Sequence, residues 1–195
     1  MRDIRICFVG DSFVNGTGDE KKLGWAGRLC AFLEAEELDI TYYNLGVRRN
    51  TSGDIRDRWE YECAQRLSDD SENIVVFSFG VNDTVIENNM PRVSKEQSIE
   101  NTKMVLESAL KKYRVRMIGP TPIGDMVQNK SIQELDKAFE ILCSELSIPY
   151  LSVIESLLAE PIWLEEVLSN DGAHPKSAGY SYFSKLVSEW EKWDL

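Results

Sequence analysis

The chain has 195 residues, 43% hydrophobic and 10% aromatic, which suits one domain with a full-sized core and is too apolar for a disordered chain. Its 33 acidic and 22 basic residues leave a net charge of −11, which argues against nucleic acid or anionic membrane surfaces as partners. No apolar run approaches the length of a membrane span and the N-terminus carries no signal-peptide pattern, so neither membrane insertion nor export is expected; the expected location is cytoplasmic.

The first element is a buried strand over Arg2 to Val9, where Ile4, Ile6 and Phe8 alternate with Arg5 and Cys7. It stops at Gly10, and Gly10-Asp11-Ser12 follows where open α/β sheets place their ligands, just past a strand's carboxyl end. A polar loop with Gly16 and Gly18 leads to a helix opened by Trp25, with Leu29, Phe32 and Leu33 on its inner face. The glycines do not make a nucleotide loop, since no lysine stands in the required position. Ile40 to Leu45 is the second strand, ending at Gly46, and the loop after it carries Arg48 and Arg49, read as solvated charges. Asp54 is read as the cap of a helix with Ile55, Trp59, Cys63 and Leu67 on one stripe.

Ile74-Val75-Val76-Phe77 reads as a central strand covered on both faces, and it runs into Gly80-Val81-Asn82-Asp83. A polar loop over 84–94 precedes a helix near Lys95 to Tyr113, expected to bury Ile99, Leu106, Ala109, Leu110 and Tyr113. Val115 to Ile118 is the fourth strand. Ser131 is read as the cap of the next helix, and Pro149 to Val153 as a short fifth strand. An irregular helical stretch from Glu155 to Leu168 leads to Asn170-Asp171-Gly172-Ala173-His174-Pro175, and a last helix runs from Lys176 to about Trp193. Trp163 is the tryptophan best placed for a pocket wall; Trp25, Trp59, Trp190 and Trp193 read as core or cap residues.

Five alternations of strand and helix predict a three-layer α/β/α domain over residues 1–195, with a five-stranded parallel sheet of flavodoxin-like order. The four scattered cysteines (Cys7, Cys30, Cys63, Cys143) read as buried free thiols. In a parallel sheet the loops after Gly10, Gly46 and Gly80 and the histidine loop emerge on one edge. That placement predicts that Ser12, Gly46, Asn82, Asp171 and His174 converge. A serine needs an imidazole base before it attacks an ester. His174, the one histidine in the chain, needs a carboxylate such as Asp171 to hold its tautomer. The backbone N–H groups of Ser12 and Gly46 and the Asn82 amide are candidate donors to an oxyanion.

Gly10-Asp11-Ser12, Asn44-Leu45-Gly46, Gly80-Val81-Asn82-Asp83 and Asp171-Gly172-Ala173-His174-Pro175 stand in order along nearly the whole chain. In these four blocks the sequence resembles the SGNH hydrolases, the GDSL esterase/lipase family. The resemblance implies a Ser12 nucleophile, a His174 base oriented by Asp171, and an oxyanion hole of Ser12, Gly46 and Asn82. It also implies a serine esterase acting on small carboxylic esters through an acyl-enzyme, with neither cofactor nor metal. The polar loops favour short-chain acyl or acetyl groups. Phe13 stands where the family name has leucine, and Arg48 and Arg49 occupy a stretch that is commonly small-residue in the family. Other readings are a thioesterase or lysophospholipase of the same family, a non-catalytic flavodoxin-like binding protein, and a metal-dependent hydrolase using Asp11, Asp83, Asp171 and His174.

Overall fold

The computed structural model describes residues 2–33 and 38–194. Strand β1 (Arg2–Gly10) ends directly in the short helix α1 (Ser12–Asn15), and α2 (Gly24–Phe32) follows. Then come β2 (Leu38–Gly46), α3 (Ser52–Ala64), β3 (Glu72–Ser78) and a 3₁₀ turn (Val81–Thr84). A two-strand hairpin, β4 (Ile86–Glu87) and β5 (Met90–Pro91), precedes α4 (Lys95–Ala109), β6 (Arg114–Ile118) and α5 (Met126–Glu145). The chain closes with β7 (Tyr150–Leu151), α6 (Ile154–Ala159), α7 (Pro161–Leu168), α8 (Ser177–Ser188) and a 3₁₀ turn (Glu191–Trp193).

The main sheet is parallel, in the order β2-β1-β3-β6-β7, the doubly wound order of flavodoxin-like folds. Alternation along the central strands builds two cores, because successive side chains leave opposite faces. Ile4, Ile6, Phe8, Ile74 and Val76 meet Trp25 and Leu29 of α2, Trp163 of α7 and Tyr180 and Phe183 of α8. Cys7, Val9, Val75 and Phe77 meet Ile55 and Trp59 of α3, Leu106 of α4 and Phe139 of α5. Each such side chain contributes on the order of 1.5–3 kcal/mol by leaving water. The expected α/β/α architecture is the one observed.

Several local expectations give way to better partners. Helix α3 is capped by Thr51, not Asp54: the Thr51 hydroxyl accepts the Asp54 N–H, and the Asp54 carboxylate accepts the Thr51 N–H in return. Helix α5 begins at Met126 because Asp125 accepts the N–H groups of Val127 and Gln128, so Ser131 lies inside the helix. The fifth strand is only Tyr150–Leu151, and the last helix stops at Ser188, short of Trp193. Phe32 and Leu110, expected inside, are exposed at the last turn or end of their helices. Cys7, Cys63 and Cys143 are buried free thiols and Cys30 is a half-buried one. Among the described residues no helix is long and apolar enough to cross a membrane.

Candidate active site

Gly10 is required where β1 hands over to α1: a β-carbon there would lie 2.0 Å from the Ser78 carbonyl oxygen and 2.4 Å from Val14. That close approach lets the chain turn at once, with Asp11 as the N-cap of α1. The Asp11 carboxylate accepts the Phe13 N–H at 3.0 Å. Ser12 thus occupies the first helical position, where its own N–H can find no carbonyl within the helix. Its side chain emerges at the carboxyl edge of the sheet with 5% of its surface exposed.

His174 reaches Ser12 from 162 residues away: its Nε2 lies 2.8 Å from Ser12 Oγ. The other ring nitrogen, Nδ1, lies 2.7 Å from Asp171 Oδ2. An ionised carboxylate only accepts hydrogen bonds, so Nδ1 carries the hydrogen and Nε2 offers its lone pair to the Ser12 hydroxyl. Asp171 is itself fixed by a tight turn, its Oδ1 accepting the N–H groups of Ala173 (3.0 Å) and His174 (2.8 Å). Burial alone would raise the Asp171 carboxyl, but these two N–H groups and the imidazole hold it below the ordinary carboxylate range. The Phe13 ring packs against the imidazole at 4.8 Å between centroids, and Asn170 Nδ2 donates to the His174 carbonyl at 3.0 Å. Phe13 thus flanks the ring, and Asn170 fixes the main chain that carries it.

The remaining candidate donors lie on other elements and are already engaged. Gly46 ends β2 against α1, where a β-carbon would lie 2.1 Å from the Asn15 nitrogen. Its N–H donates to Asn44 Oδ1 at 3.0 Å, while Asn44 Nδ2 donates to the Val14 carbonyl at 2.7 Å. Asn82, on the 3₁₀ turn after β3, donates to the Asn50 carbonyl at 3.0 Å and, more loosely, to Asp11 Oδ2 at 3.3 Å. Asp11 therefore bridges the turn that presents Ser12 and the amide of Asn82. Only 1% exposed, its carboxyl is pushed up to about 7 by burial, against the lowering effect of the Phe13 N–H.

Three further residues brace this edge, of which Arg58 and Asn50 carry no signal in the sequence beyond their polarity. Arg58 donates from one nitrogen to the carbonyls of both Gly10 and Leu45, at 2.9 Å each, tying together the ends of β1 and β2. Asn50 supplies the carbonyl that holds Asn82. Asn44, inside a block already noted, locks α1 to β2. Asp83 is buried and joins α3 to α4, accepting the Ser52 N–H at 2.8 Å and a hydrogen bond from the Ser98 hydroxyl. Among the described residues Asp11, Asp83, Asp171 and His174 form no common group able to hold a metal ion. Trp163 is not a pocket wall: it is fully buried, donating from Nε1 to the Pro122 carbonyl at 3.1 Å.

Solved structures share this architecture. A lipase/acylhydrolase from Enterococcus faecalis aligns over 96% of this chain and 94% of its own, with 24% identity and a TM-score of 0.73. The acetylxylan esterase Axe2 from Geobacillus stearothermophilus aligns over 93% and 91%, with 16% identity and a TM-score of 0.77. The psychrotrophic esterase EstA from Pseudoalteromonas aligns over 97% of both chains, with 16% identity and a TM-score of 0.74. Comparison with curated proteins finds no match. Residues 8–182 match the model of the GDSL-like lipase/acylhydrolase family, and this chain therefore belongs to that family of ester-hydrolysing serine hydrolases.

Proposed function

We propose that the protein is a serine esterase that cleaves small carboxylic esters through an acyl-enzyme on Ser12, with residues 1–195 acting as one catalytic unit. The observation that carries this reading is the unbroken relay from Ser12 Oγ to His174 Nε2 (2.8 Å) and from His174 Nδ1 to Asp171 Oδ2 (2.7 Å). In this scheme Ser12 Oγ attacks the ester carbonyl while its proton passes to His174 Nε2. Asp171, already ionised, stabilises the imidazolium and keeps its orientation. The carbonyl oxygen, now negatively charged, receives the Ser12 N–H, the Gly46 N–H and the Asn82 amide. Gly46 and Asn82 exchange partners to do so, leaving neutral or long hydrogen bonds for a charged acceptor. Collapse expels the alcohol, which takes the proton from His174. A water activated by the same imidazole then releases the acid.

A short acyl group fits this edge best. The groove beside α1 is lined by Asn15, Gly16, Thr17, Gly18, Lys22 and Arg48, with no aliphatic side chain to hold a long hydrocarbon. A p-nitrophenyl ester panel should therefore give the highest kcat/KM at two to about four carbons. An optimum at a dozen carbons or more would favour a lysophospholipase. The central test is covalent. Quenched turnover of p-nitrophenyl acetate, or a fluorophosphonate probe, should place its mass on Ser12, and Ser12→Ala should abolish the adduct. Mass on another residue would overturn the assignment.

A further inference from the structure

Lys22 and Arg48 come from loops 26 positions apart and face one groove of about 310 Å³. The rest of its lining is neutral: Asn15, Gly16, Thr17 and Gly18. Neither cation is paired with a carboxylate among the described residues, whereas the adjacent Arg49 is held by Glu87 at 3.2 Å. Two cations with no carboxylate partner among the described residues share one neutral groove in a chain of net charge −11.

Both are held by fixed backbone rather than by loose loops. Lys22 sits in the left-handed region (φ 59°) of a turn fastened from inside by Asp19, whose carboxylate accepts the N–H groups of Lys21, Leu23 and Gly24. Arg48 stands at the corner of a turn closed by the Asn50 N–H on the Val47 carbonyl (3.2 Å) and anchored by the Val47 N–H on the Gly10 carbonyl (3.0 Å). The groove also adjoins the reacting groups. Asn15 and Gly16 lie about one helical turn, roughly 5 Å, beyond Ser12 on α1. A β-carbon on Gly18 would lie 3.2 Å from that of His174.

We propose that this groove is a subsite for an anionic group on the ester substrate, a carboxylate or phosphate a few bonds from the ester linkage, bound by Lys22 and Arg48. The proposal rests on the esterase reading for its place in a reaction, but not for the binding itself. It gives Arg48 a task that a solvated loop charge lacks, and it narrows the substrate from small esters to small anionic esters.

Two measurements test it. The first uses monoethyl succinate, ethyl 3-phosphonopropanoate and the neutral ethyl succinamate, which carry the group on the acyl side that the groove receives. The wild type should favour the anionic esters by about ten-fold or more in kcat/KM at low salt, mostly through KM, and the preference should shrink as salt is raised. The preferred anion identifies the group. In the Lys22→Glu/Arg48→Glu double variant the ratio should fall to one or below, while Arg48→Lys should keep most of it. Because the ratio is taken within one protein, a general loss of activity cancels. Equal efficiencies in the wild type, or an unchanged ratio in the double variant, would overturn the subsite while leaving the esterase intact. The second uses inorganic phosphate and amide NMR, so that a failure of all three esters to react would count against the esterase reading alone. Phosphate should shift the amides of residues 16–18 and 48 saturably in the wild type and not in the double variant. An absence of shifts in the wild type would overturn the subsite.

Discussion

At the scale of single residues the proposed chemistry depends on carboxylates kept in different states by their surroundings. Asp171 is held below its ordinary range by donors, whereas Asp11 is pushed up to about 7 by burial. Asp11→Asn separates its two effects. The new side chain still accepts the Phe13 N–H, but its NH₂ would face the NH₂ of Asn82, two donors with nothing to share. Steady-state kinetics should show kcat reduced by about ten-fold or more, an effect of the same kind as Asn82→Ala, where on the proposed mechanism loss of an oxyanion donor costs about 10²–10³. Stability should move differently. Because the folded chain holds the Asp11 proton more tightly than the unfolded one, its contribution is full below about pH 4 and is lost as pH rises through about 7. The melting temperature of the wild type should decline relative to Asp11→Asn across that window. An unchanged kcat would remove Asp11 from the support of Asn82.

At the scale of elements, the sequence marked where strands stop better than where helices begin. Gly10, Gly46 and Gly80 were readable as stops because each replaces an apolar run with a residue that permits close approach or a sharp turn. The start of α5 is not readable: Asp125 and Ser131 are both good caps, and the chain uses Asp125, with Asn129 in the added turn holding both main-chain groups of Ile123. The hairpin Ile86–Glu87 with Met90–Pro91 leaves no mark in the sequence, because two-residue strands have no periodicity to detect. Phe32 and Leu110 are exposed although they continue an apolar stripe, because such a stripe does not reveal where the neighbouring layer ends. The tight junction of β2 and α1 is the element-scale feature most open to test. Gly46→Ala would drive a methyl group into the backbone of Val14 and Asn15, an overpacking cost of about 1–3 kcal/mol. At about 2–4 °C per kcal/mol for a chain of this size, the melting temperature should fall by several degrees and activity with it. A variant as stable and active as the wild type would show that α1 can shift freely, which the crowded contacts deny.

At the scale of the whole molecule, the site exists because the last helix is fastened to the first loop. Asp19 is the fastening point. Buried at 0% exposure, it pairs with Arg28 and accepts the Ser177 hydroxyl at 2.6 Å, three residues past His174. Tyr180 adds a hydrogen bond to the Thr17 carbonyl at 2.8 Å. Burial would raise the Asp19 carboxyl, but Arg28, Ser177 and the loop N–H groups hold it well below the usual range. Its contribution is therefore present above the unfolded value of about 3.9 and is lost as pH falls through the depressed folded value. Asp19→Asn leaves the Arg28 charge buried without its partner, at a cost of about 3–5 kcal/mol. Thermal melts should show roughly a 10 °C loss at neutral pH that narrows in acid. Equal melting at pH 7 would contradict the role of this pair. None of this was visible in the chain, where Asp19 and Arg28 look like ordinary loop and helix charges. The convergence of Ser12 and His174 was visible, because parallel strands send their carboxyl ends to one edge whatever their order.

The account stands most directly on His174 serving as the base for Ser12, and the chain offers a clean test because it has no other histidine. The ring resonance should be titrated by NMR and compared with the pH dependence of kcat/KM on a slow ester whose chemistry limits the rate. Asp171 stays ionised as the imidazole titrates, and running the same comparison in Asp11→Asn removes the buried carboxyl that also titrates at about 7, so activity there should rise with pH as the imidazole loses its proton. The account predicts that the midpoints of the ring titration and of the acid limb coincide. Midpoints about a unit or more apart would mean that the group governing the reaction is not His174.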